Sequence, residues 1–180
     1  LNGTTGVSLV QDGVITDANL PAGSVLQVVQ TVKTDTASTS SNSNVDISGL
    51  SATITPASTD NKILVCVDLQ GSGWEGDSAF QLFDNSTGSY AITVKGDSNG
   101  GPSALFGGWT QNAETDHRWI TKSMSAKYLH SPSVTSAITY KLTMNGGGSQ
   151  TIYVNRAYNY GSAGNAPGVV SSITLMEIAG

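Results

Sequence analysis

About ten short apolar-alternating runs, separated by clusters of Gly, Ser, Asn and Pro, fill this chain from Ser24 to Ile178, and no amphipathic helix interrupts them. Alternation with a period of two places one face of each run on a core and the other in solvent, which is the signature of an all-β chain. The expected fold is an antiparallel β-sandwich, jelly-roll-like, of about 8–10 strands. Such folds carry their chemistry on loops.

The 180 residues fit a single sandwich core. Only 12% are charged, about half the ~25% of an average globular chain, and Ser and Thr make up roughly a quarter. The apolar fraction of 38% is organised into strands, so the chain is not disordered. This composition suits an extracellular protein or part of an assembled particle. The net charge is −5, and the eight Lys and Arg are scattered singly. A nucleic-acid partner needs a clustered basic patch, as does an anionic membrane surface, so neither is expected. No run approaches the ~20 apolar residues of a spanning helix. Leu1-Asn2-Gly3 has neither a basic n-region nor an apolar h-region, and the missing initiator Met suggests a piece of something longer.

Residues 1–22 differ from the rest. They carry glycines at short intervals and no aromatics, so they cannot build a core and read as an arm that packs on something else. Pro21-Ala-Gly23 marks the boundary with a sandwich domain over residues 23–180. Strands are expected at Ser24–Lys33, at Val45–Ile47 with Leu50–Thr55 as a short pair, and at Lys62–Gln70, the most continuously apolar run and hence a central strand. Its lone cysteine, Cys66, is expected to be a buried small hydrophobe. Ala79–Phe83 and Tyr90–Lys95 form a hairpin, Ser123–Leu129 a further strand, and Ile138–Met144 pairs with Gln150–Asn155 across Asn145-Gly-Gly-Gly148. Val169–Ile178 closes the domain.

Three segments together resemble the C-terminal receptor-binding tips of tail-fibre proteins from tailed bacteriophages, especially marine phages. They are Gly6–Gln30, the turn and strand around Ser58–Val67, and the terminal Ser171-Ser-Ile-Thr-Leu-Met-Glu-Ile-Ala179. Tyr128–Ser133 and Thr151–Arg156 fit the same pattern. The resemblance spans nearly the whole chain, and its motifs are strand entries and exits rather than catalytic groups. It implies a homotrimeric, β-rich fibre tip on the virion, with the arm as the end of a shaft. Its partners would be other virion tail proteins and a glycan or outer-membrane protein of the host. No binding-residue motif carries over.

The residues themselves argue against catalysis. His117, in Glu114-Thr-Asp-His-Arg118, reads as part of a solvated loop, and His130 is the only other histidine. No Gly-x-Ser-x-Gly elbow is present. Glu75, Asp77, Glu114 and Asp116 all sit on loops and leave paired glycosidase carboxylates as an open alternative. Asp97-Ser-Asn-Gly100 lacks the further ligands of a calcium loop, and no Cys/His cluster supports zinc. Neither a metal nor a cofactor is expected. The candidate receptor contacts are aromatics and amides on or flanking loops 71–77, 107–117 and 156–168: Trp74, Trp109, Asn155, Tyr158, Asn159 and Tyr160. Rings stack on sugar C–H faces while Asn and Ser bond hydroxyls, and Tyr, Ser, Gly and Asn are the residues of adaptable paratopes. Trp109 fits either a contact or a plug, and Trp119 reads as a plug of the core or of a subunit seam. Two other roles fit the composition: a capsid decoration or other structural virion protein, and a carbohydrate-binding module.

Overall fold

The computed structural model describes residues 20–73, 79–94, 96–97, 104–107, 119–146, 151–159 and 168–180. Eleven strands lie among them: β1 Val25–Lys33, β2 Ala37–Thr39, β3 Val45–Ile54, β4 Lys62–Gly73, β5 Ala79–Asp84, β6 Ala91–Ile92, β7 Phe106–Gly107, β8 Lys122–His130, β9 Ile138–Asn145, β10 Ile152–Val154 and β11 Ser171–Ile178. They form two antiparallel sheets. In the first, β11 lies between β1 and β4, β10 lies between β4 and β2, and β8 pairs with the other edge of β4. In the second the order is β3-β9-β5-β6, with β7 also on β5. The fold is the expected all-β sandwich.

Alternation builds the core. Ile63, Val65, Val67 and Leu69 of β4 point inward, as do Ile173 and Leu175 of β11. They meet Leu50, Ala52 and Ile54 of β3, Phe80 and Leu82 of β5, and Ile138, Tyr140 and Leu142 of β9. The arm boundary is closed by backbone bonds to the C-terminal residues: Gly23 N donates to Ala179 O and Ala179 N to Ser24 O. Gly23 has φ +89°, a left-handed conformation that suits glycine. Residues 1–19 of the arm lie outside the described residues.

Three local expectations need correction. The anticipated hairpin of Ile138–Met144 with Gln150–Asn155 does not form. β9 pairs with β3 and β5 in the second sheet, whereas β10 pairs with β2 and β4 in the first. Two apolar alternating runs flanking a glycine cluster satisfy a hairpin and a sheet-to-sheet crossing equally well. Here Ile152 and Val154 are buried in the main core cluster from the opposite sheet. Second, Val45–Ile47 and Leu50–Thr55 are one strand, not a pair. Its register against β9 jumps between Asp46 and Ser51, and Gly49, at φ +78°, sits in the resulting bulge. Third, β4 is indeed central, but Cys66 lies on its outward face and is only partly buried. The apolar run of β4 continues on both faces, which alternation alone does not sort.

Candidate functional site

The outward face of the first sheet has two unlike ends. Strand register aligns Val28 of β1 with Met176 of β11, Met176 with Leu64 of β4, and Leu64 with Leu129 of β8. This is an unbroken apolar row across four strands. Val28 is 57% exposed and Leu129 47%. The next rows are mixed, with Cys66 beside Lys127 and Asp68 beside Ser125.

At the other end, the chain leaving β10 folds over the end of β4. Tyr153 alternates with the buried Ile152 and Val154, so its ring points outward. The Arg156 guanidinium lies 4.3 Å from the centroid of that ring, and Tyr158 meets the same ring edge-on at 5.7 Å. Arg156 also donates from Nε to Ala157 O and from its terminal nitrogen to Tyr158 O. Beneath them the buried Ser72 donates its hydroxyl to Arg156 O at 3.0 Å. The cation is thereby held by side-chain and main-chain bonds against the Tyr153 ring, which Tyr158 in turn meets. A preordered aromatic and arginine surface of this kind suits contact with a partner, because little entropy is lost when it binds.

Of the six residues expected to contact a receptor, Tyr158 and Asn159 are half-buried in this segment. Trp74, Trp109 and Tyr160 lie outside the described residues, as do His117 and the loop carboxylates Glu75, Asp77, Glu114 and Asp116. Asn155 is corrected: it is 1% exposed and has nothing to present to a ligand. Its amide nitrogen donates to Lys33 O at 2.8 Å and Asp35 O at 2.9 Å, its side-chain oxygen accepts from Ser171 Oγ, and its backbone N–H bonds to Gln70 O. A φ of +62° explains the Asn there, since its short amide tolerates the left-handed region. Trp119 does not plug the core; it is 38% exposed just ahead of β8. Tyr153 and Arg156 were missed by sequence reasoning. The sequence carries only a partial signal, an Ile-Tyr-Val alternation with an arginine three residues after the tyrosine, and it becomes specific once Ile152 and Val154 are known to face inward.

His130 belongs to the structural interior. Its Nδ1 is 2.7 Å from the hydroxyl of the fully buried Tyr140, and its ring stacks on Tyr128. Burial holds the imidazole below its ordinary value, against the opposing pull of Asp84, and pushes the Tyr140 hydroxyl upward.

Fold and surface together define an antiparallel β-sandwich with a preordered aromatic patch on one sheet. No known family model matches the chain, and no curated protein does either.

Proposed function

We propose that this chain is an adhesive tip of a bacteriophage tail fibre, a non-enzymatic module on the virion that binds a glycan or protein on the host surface. The observation that carries this reading is the Tyr153–Arg156–Tyr158 patch, an ordered aromatic and cationic surface at one end of a sheet. A contact of three side chains implies weak binding per copy, and repetition on one particle supplies avidity. The Val28–Met176–Leu64–Leu129 row supports self-association, of which the homotrimer implied by the fibre resemblance is one form, because its ends Val28 and Leu129 are 57% and 47% exposed. The same row favours a second reading, a structural virion protein seated on a particle surface.

Competition tests the proposal. Purified protein should block adsorption of the parent particle to its host. A Tyr153→Ala/Tyr158→Ala double variant should lose that effect by about tenfold or more, the usual scale for losing two anchor residues. A folded variant that competes as well as the wild type would place the contact elsewhere.

A further inference from the structure

A second surface lies on the outer face of the other sheet. Between the Asp46–Thr143 and Ser51–Lys141 pairs, residues 47–50 of β3 stand against Leu142 alone. Ile47 and Leu50 both turn into the core, at 3% and 0% exposure, so Ser48 and Gly49 are thrown outward. The Lys33 ammonium, paired with Asp35, lies beside the bulge: a Cβ on Gly49 would come within 3.9 Å of Lys33 Nζ. Across β9, the hairpin from β5 to β6 brings in Tyr90, whose side chain is 46% exposed. Between bulge and ring lies a groove of about 250 Å³ lined by Asp46, Ser48, Ser51, Tyr90, Thr139 and Lys141. Lys141 Nζ donates to Asp46 Oδ2 at 2.8 Å and stands 4.0 Å from the Tyr90 ring centroid.

We propose that this groove binds one neutral sugar ring of a surface polysaccharide. Its volume falls below the roughly 300 Å³ at which drug-sized sites begin, so the ligand is small or is one unit of a chain. The two charges of the lining neutralise each other. An anionic ligand would meet the Asp46 carboxylate, and a purely apolar one would strip water from the Lys141–Asp46 pair without replacing its hydrogen bonds. The hydroxyls of Ser48 and Ser51, that of Thr139 already paired with Thr53 Oγ1 at 2.8 Å, a carboxylate that is 59% exposed and an ammonium place both donors and acceptors around an aromatic ring. A sugar matches that set, with hydroxyls on its rim and C–H groups on its face. The inference names the ligand class for the adhesive role proposed above and rests on it to that extent. Binding of free sugars, however, is measured without any cell or particle, so the two can fail separately.

The test is a ¹H–¹⁵N NMR titration of the whole chain with glucose, galactose, mannose and N-acetylglucosamine, each to ~100 mM, since single-ring sites bind in the millimolar range. At least one sugar should shift the amides of Ser48, Gly49, Ser51, Tyr90 and Lys141. Tyr90→Ala should weaken it about tenfold, while Tyr90→Phe, which keeps the ring, should stay within about twofold. Unchanged core resonances verify that both variants are folded. The assignment is overturned if no sugar moves these amides, if Tyr90→Ala binds as the wild type does, or if glucuronate occupies the groove more tightly than every neutral sugar. Shifts confined to Tyr153 and Tyr158 would contradict it too, while leaving the adhesive reading standing.

Discussion

Asn61 Nδ2 donates to Glu177 Oε1 at 2.6 Å, tying the start of β4 to the end of β11 beneath the surface. The same carboxylate accepts from the Ala57 backbone N–H at 2.7 Å and from Gln27 Nε2 at 2.6 Å, so a residue only 1% exposed has partners on three other segments. Burial pushes this carboxyl upward, but the donors from Gln27, Asn61 and Ala57 outweigh it and hold it below the ordinary value. Asn61 Oδ1 in turn accepts from Gly180 N, which draws the final residue into the same knot.

A folded value below the unfolded one gives stability that is fully present above the unfolded value near 4.5 and is lost as pH falls through the folded one. Glu177→Gln should therefore cost about 2–3 kcal/mol at neutral pH, because it replaces an acceptor oxygen with an NH₂ facing buried donors. Urea unfolding at pH 7 and at roughly pH 2.5 should show the gap between wild type and variant narrowing in acid. A gap independent of pH would mean that the ionised form is not what the donors stabilise.

Asn155 is a structural residue at the edge of the aromatic patch. Asn155→Ala removes two bonds to the carbonyls of Lys33 and Asp35 and puts alanine at φ +62°. The expected loss is about 2–4 kcal/mol in denaturant unfolding, on the scale of a broken buried network. A change under about 0.5 kcal/mol, the range of ordinary surface substitutions, would contradict the role assigned here.

Cys66 faces outward between Thr174 and Lys127, partly covered. Burial pushes its thiol above the ordinary value, and the nearby Lys127 only partly offsets this. Iodoacetamide should therefore modify the native protein slowly, faster at higher pH, without prior unfolding. Modification that tracks the global unfolding rate would place the thiol inside after all.

Leu129 and Val28 end the apolar row. Leu129→Glu puts a charge on that row and should dissociate the proposed trimer while leaving the fold intact, since the residue is 47% exposed. Light scattering with circular dichroism reads both. A wild type that is already monomeric at ~100 μM, well above typical subunit affinities, would remove the row's role in self-association.

Much of this fold was legible because alternation reports local facing. Lys62–Gln70 reads as central from its apolar content, and β1, β8 and β11 follow their expected bounds to within a few residues. What alternation does not carry is which sheet a strand joins. Ile152–Val154 looks like the partner of β9, yet it lies beside β4 because the sandwich needs Ile152 and Val154 on the opposite wall of the core. The patch was half legible: Tyr158 could be picked from loop composition, whereas Tyr153 counts as an ordinary strand residue until its neighbours are known to face inward. The groove was not legible at all. Asp46 and Lys141 are 95 positions apart in the chain, and only the β3–β9 register and the Gly49 bulge bring them together.

Locating the chain on a virion is the most direct test of the proposed role. Antibody against the purified protein, imaged by negative-stain microscopy on the particle that carries it, should label the distal ends of the tail fibres and inhibit adsorption. Label distributed over the capsid with adsorption unaffected would contradict the adhesive role and favour the structural one.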